Sequence, residues 1–202
     1  MRIEDLIASV QKELGIDTDG RPGPQTWGAI YKRLVKPDID GLDPRDGLAQ
    51  VDSRSESIIA TLLPEVRPMA RALVHKAAAL GITIRIISGL RTFEEQDALY
   101  AQGRSAPGHI VTNARGGYSN HNFGIAFDIG VFEGNKYLPD SVKYKVVGAL
   151  GMDMGLEWGG NWRSIVDQPH FQYRPPWAER LNERQMLAAL RARRASGEPI
   201  YA

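Results

Sequence analysis

The apolar residues of the chain recur in two periods, and the switches between them mark the elements. Ile3, Leu6, Ile7, Val10 and Leu14 stand at helical spacing, which predicts a short amphipathic helix over residues 2–14 stopped by Gly15. The turn-rich run 17–23 follows, and Pro24 opens a second helix with Trp27, Ile30, Tyr31 and Leu34 on one face. Residues 37–54 are rich in Pro, Asp and Gly with weak periodicity, and read as a linker, with regular structure resuming at Ser55 or Ser57. An alanine-rich helix is expected from Glu65 to Leu80, ended by Gly81. The β-branched run Ile82–Ser88 is a strand, and Thr92 stands where it can cap a helix carrying Glu94, Glu95, Gln96, Leu99 and Tyr100. Residues 101–118, with four glycines and a proline, read as a long loop.

From Ile125 the period changes to two. Ile125, Phe127, Ile129 and Val131 fall on one face of a strand, and Ala126, Asp128 and Gly130 on the other. A hairpin-like turn at Glu133–Lys136 leads to a helix over about 141–154, with Val142, Val146, Val147 and Leu150 inward. Residues 156–158 and 170–173 are short strands by composition, and Leu181, Met186, Leu187 and Leu190 predict a terminal helix over 178–195. The expected fold is α+β: a small central antiparallel sheet flanked by helices, with an N-terminal helical hairpin.

Composition narrows the partners. Lys and Arg number 25 against 24 Asp and Glu, so charge gives no argument for nucleic acid. Cysteine is absent, which removes a thiol nucleophile and any cysteine metal site. No apolar run is long enough to span a bilayer, and the N-terminus lacks the basic and apolar regions of a secretory signal. The expectation is a monomeric protein made in the cytoplasm that needs another exit, such as release by a phage holin, if it works outside the cell.

The strand pattern also exposes the chemistry. Asp128 sits among Ala126 and Gly130, too small to cover it, and a carboxylate in an otherwise apolar strand needs a partner. A metal ion is one such partner, and His121 lies just upstream. The chain has four histidines, of which His170 falls in the strand-like run Asp167–Tyr173. His121, Asp128 and His170 give three ligands and leave a fourth zinc position open, the arrangement of a catalytic site. Asp167 is then a spare carboxylate near the metal, suited to general-base work. His75 and His109 read as a structural and a loop histidine. Histidine and carboxylate ligands also suit other divalent metals.

These residues carry a resemblance. Ser119, His121, Gly124, Ala126 and Asp128 complete the pattern S-x-H-x-x-G-x-A-x-D, and Asp167 and His170 a later D-x-x-H. From about Ser53 to Trp177 the chain resembles the D-Ala-D-Ala carboxypeptidase and L-alanyl-D-glutamate endopeptidase family of zinc peptidases, which cut peptidoglycan stem peptides. The Asp-x-Pro-His-Phe form, preceded by Glu157-Trp158-Gly-Gly-Asn-Trp162, is similar to the endolysin-like endopeptidase branch. The resemblance implies a peptidase domain over 55–178, with residues 179–202 a C-terminal helix and tail. It places Arg91 at the active site as an electrophilic group, with Gln96 beside it as a substrate contact or a structural residue and Ser119 as a further substrate contact, while Trp158 reads as a cleft wall or a core aromatic. Trp162 is a second possible cleft wall, and Glu157 a second acid that could organise its loop. Residues 6–34 resemble the core of small helical peptidoglycan-binding modules, which implies a wall-binding hairpin over 1–36. Two other functions fit the same residues: a D,D-carboxypeptidase, and a wall-binding protein that keeps the metal without turnover.

Overall fold

A computed structural model describes residues 2–35, 47–163 and 165–201. Among these the chain forms α1 (Ile3–Glu13), α2 (Pro24–Val35), α3 (Ser53–Ile59), α4 (Arg67–Ala79), β1 (Thr83–Ser88) and α5 (Phe93–Ala101). There follow β2 (Ala126–Glu133), β3 (Lys136–Tyr137), α6 (Lys143–Asp153), β4 (Glu157–Trp158), β5 (His170–Gln172) and α7 (Glu183–Ser196). The strands make one antiparallel sheet in the order β1-β2-β5-β4, with β3 pairing β2. The fold is therefore α+β, as the sequence predicts.

The period-two pattern of β2 assigns the faces. Phe127, Ile129 and Val131 are fully buried and join Ile84 and Ile86 of β1, Leu73 and Ala77 of α4, and Val147 of α6 in the main core. Phe123 and Ile125, just before β2, instead pack with Met186, Leu187 and Leu190 of α7 in a second cluster. The C-terminal helix is thus packed against the segment that leads into the sheet. Local signals set several boundaries. Thr92 Oγ1 accepts from the Glu95 N–H at 3.1 Å and Glu95 Oε2 accepts from the Thr92 N–H at 2.7 Å, a reciprocal cap that starts α5. Gly81, at φ +69°, lets the chain leave α4 in the left-handed conformation.

The structure departs from the sequence reading in three places. Residues 37–46 of the expected linker lie outside the described set, but the linker does not reach residue 54. Asp52 accepts from the Ser55 N–H at 3.0 Å and starts α3 at Ser53, and the buried Ser55 hydroxyl accepts from the Ile86 N–H, tying α3 to β1. Val142 is 78% exposed because it precedes α6, and the inward residue of that first turn is Tyr144. The apolar face of α1 is turned largely outward: Ile3, Leu6, Val10 and also Trp27 of α2 are exposed. The hairpin is held instead by Gln11, whose buried amide donates to Asp19, Arg21 and Thr26 and accepts from the Gly20 N–H. The side chains of Tyr31 and Leu34 lie outside the described set. No described helix is long and apolar enough to cross a membrane.

Candidate metal centre

Strand register builds one side of the site. Ser88 lies opposite Asp128, and Asp128 opposite His170, so β1, β2 and β5 present the three side by side. A shift of register between Ile86 and Ser88 marks the end of regular pairing in β1. His121 comes from a 3₁₀ turn over Asn120–Phe123, which Gly124 ends at φ +69° before the chain enters β2. Asn122 fixes that turn: its Nδ2 donates to the Arg91 and Thr92 carbonyls, and its Oδ1 accepts from the Gly117 N–H.

Three acceptor atoms meet there. His121 Nε2 and His170 Nδ1 each lie 3.2 Å from Asp128 Oδ1, and 3.3 Å from one another. Each imidazole has its far nitrogen against an oxygen. His121 Nδ1 is 2.8 Å from the Gly89 carbonyl, and His170 Nε2 is 3.1 Å from Gln172 Oε1. A carbonyl oxygen only accepts, so each far nitrogen carries the proton and each near nitrogen turns a lone pair inward. Two lone pairs and a carboxylate facing one another call for a cation between them. Burial alone pushes the Asp128 carboxyl up, but His121 and His170 outweigh it and hold it well below the usual carboxylate range. Burial pushes the His170 imidazole down, but Asp128 outweighs it and raises it. The donor set and its outer hydrogen bonds fit a metal ion, and among the described residues His121, Asp128 and His170 form a group able to hold one.

Asp167 and Arg91 border the cluster. Burial raises the Asp167 carboxyl above its usual range, and His170, Asp128, His121 and Arg91 all act on its charge. Its position depends on Gly159, where a Cβ would lie 2.5 Å from the Asp167 carbonyl oxygen and 3.0 Å from His170 Cβ. The Gly159 carbonyl accepts from the Asp167 N–H at 3.0 Å. Arg91 donates through Nη1 to Gln96 Oε1 at 2.7 Å and through Nη2 to Ser88 Oγ at 3.0 Å, with Nη2 3.9 Å from Asp128 Oδ2. Its guanidinium is aimed at the metal cluster and held from behind.

The other expected site residues separate. Gln96 is fully buried, and its amide is occupied by Arg91, Thr112 and Ala114, so it braces Arg91 from behind. Trp158 is 4% exposed and packs under Gly148 of α6 and against Gly160, with its N–H donating to the Gln168 carbonyl. It supports the loop from inside and lines no cleft. Trp162 is the aromatic beside the cluster, 36% exposed with its ring 4.9 Å from that of His170. Ser119 is half-buried, and its backbone brackets the His121 turn through Asn122. Glu157 pairs with Arg174 and Gln172. His75 bonds the Ala49 carbonyl and His109 is exposed, both away from the cluster. Sequence reasoning missed Asn122 and Gln172. For Gln172 a signal existed, since it stands two residues after His170 on the same strand face.

The chain is similar to several known proteins. The family model described as D-alanyl-D-alanine carboxypeptidase matches residues 112–173. The peptidoglycan L-alanyl-D-glutamate endopeptidase CwlK of Bacillus subtilis is 39% identical over 126 residues, covering 56% of this chain and 74% of that protein. The L-alanyl-D-glutamate peptidase of Listeria phage A118 is 31% identical over 126 residues, covering 60% of this chain and 41% of its own length. A crystal structure of the Serratia marcescens L-Ala D-Glu endopeptidase ChiX aligns with a TM-score of 0.45 at 22% identity, over 64% of this chain and 94% of that one.

Proposed function

Because the chain belongs to the family of D-alanyl-D-alanine carboxypeptidases and L-alanyl-D-glutamate endopeptidases, we propose that it hydrolyses the L-Ala–D-Glu amide of peptidoglycan stem peptides with zinc held by His121, Asp128 and His170. The observation that carries the reading is the convergence of two inward lone pairs and a carboxylate within 3.3 Å of one another. The choice of bond rests on the two relatives, both named for L-alanyl-D-glutamate cleavage. A metal ion bound there supplies a Lewis acid and a water of lowered pKa.

The side chains divide the remaining work. Asp167 takes the proton released as water adds to the scissile carbonyl and passes it to the nitrogen of the departing D-Glu. Burial suits it to this, since a raised pKa brings a carboxylate closer to the proton affinity the transfer needs. Arg91, braced by Gln96 and Ser88, presents its remaining N–H groups to oxygen that gains negative charge. Trp162 offers an exposed apolar wall beside His170. The carboxypeptidase alternative rests on Arg91, whose charge also suits a terminal D-Ala carboxylate.

Metal analysis tests the site. The purified parent is expected to hold one zinc per chain, and His121→Ala and His170→Ala to hold far less. Full zinc content in both variants would remove the proposed centre.

A further inference from the structure

Beneath the metal ligands lies a polar network that the proposed reaction does not use. Gln172 is 1% exposed, yet all its polar atoms are engaged. Its Oε1 accepts from His170 Nε2 at 3.1 Å and from Asn120 Nδ2 at 2.5 Å. Its Nε2 donates to Glu157 Oε2 at 2.6 Å and to Glu183 Oε2 at 3.5 Å. Asn120 Nδ2 also donates to Glu183 Oε1, and Arg174 donates to both carboxylates. Glu183 is the first residue of α7, 63 residues from Asn120.

The protons in this network can be assigned by elimination. A carboxylate presents only acceptors, so the Gln172 atom 2.6 Å from Glu157 Oε2 is the N–H donor and not the amide oxygen. The Gln172 amide then has one orientation, with Oε1 toward His170. An oxygen there fixes the proton of His170 on Nε2 and leaves Nδ1 free to bind metal. With the amide reversed, an NH₂ group would face His170 Nε2, and the proton would move to Nδ1, on the metal side. At His121 the same assignment is made by the Gly89 backbone carbonyl, which cannot reverse. At His170 it is made by a side chain that could.

We propose that Glu157 and Glu183, braced by Arg174, are positioning residues for the metal centre: they lock the Gln172 amide in the orientation that makes His170 Nδ1 a ligand. The inference rests on the metal-site reading given above. It also couples α7, through Glu183, to metal affinity, although α7 lies beyond the residues that match the family model.

The test is the zinc dissociation constant of the full chain, measured by chelator competition, with thermal unfolding of each zinc-free variant as a control for folding. Gln172→Leu removes the acceptor and is expected to weaken zinc by about 10–100-fold, as loss of an outer-shell partner does. Glu157→Gln combined with Glu183→Gln keeps size and shape but lets the Gln172 amide reverse, and zinc is expected to bind several-fold more weakly than to the parent. Adding Gln172→Glu to that pair restores an acceptor that cannot reverse, with amides now available to donate to it, and is expected to recover tight binding. A network that only fills space predicts no such recovery. Parent-like affinity in the Glu157→Gln, Glu183→Gln pair, or no recovery in the triple variant, would overturn the proposal. A parent that binds no zinc would instead sink the metal reading on which it rests.

Discussion

At Asp167 stability and function pull in opposite directions. Burial raises its carboxyl above the ordinary value of 3.8, so ionising it costs the folded chain more than the unfolded one. That penalty is absent below the ordinary value and grows as pH rises through the raised one. Asp167→Asn is therefore expected to make the zinc-free protein more stable than the parent at neutral pH and equal to it in acid, as read by melting temperature across pH. The same variant is expected to keep zinc and lose about 10²–10⁴-fold in turnover, the usual worth of a general base. Parent-like turnover would pass the role to another group. The grouping of His121, Asp128 and His170 is legible in the sequence because each stands in a short motif of few residue types. Gln96 and Trp158 are less so: a side chain that braces the site and one that touches substrate can have the same type, and only burial separates them. Gln172 and Glu183 are harder still, since the contacts that give them meaning cross 52 and 63 residues to Asn120.

Among the elements, the sheet is pinned from its core face by close approach of α6. A Cβ on Gly148 would lie 2.5 Å from the Trp158 ring, and one on Gly151 2.5 Å from the Phe171 ring. Phe171 belongs to the same strand as His170, and Trp158 pairs with it across β4 and β5. Gly148→Ala is expected to destabilise the zinc-free protein by about 1–3 kcal/mol in urea denaturation, the cost of overpacking a filled core. No change would mean that the indole can move aside. Elements whose signals are local were readable from the chain: the Thr92–Glu95 cap, the Gly81 stop, and the turn at Gly134, which has φ +58°. The start of α3 was obscured because Asp52 sits in a stretch whose composition resembles a loop. The outward face of Val142 was obscured because helical spacing does not say where a helix begins.

Across the whole molecule, the N-terminal hairpin is joined to the peptidase fold where α2 packs on α6, closely enough that a Cβ on Gly28 would lie 2.7 Å from Ala149 Cβ. The metal ligands, Asp167 and Arg91 all lie beyond it. We propose that the hairpin serves wall binding. Deleting residues 1–36 is expected to lower retention on intact cell walls and, by uncovering α6, the melting temperature. Hydrolysis of a soluble stem peptide should stay within a few-fold of the parent. Loss of that hydrolysis would make the hairpin part of the catalytic fold. The central claim, a metal-dependent peptidase that opens the L-Ala–D-Glu bond, is tested most directly by mass spectrometry of purified peptidoglycan digested with the zinc-loaded protein. The account predicts peptides that begin with a new N-terminal D-Glu, absent when a chelator is added. Release of terminal D-Ala alone, with every L-Ala–D-Glu bond intact, would contradict it.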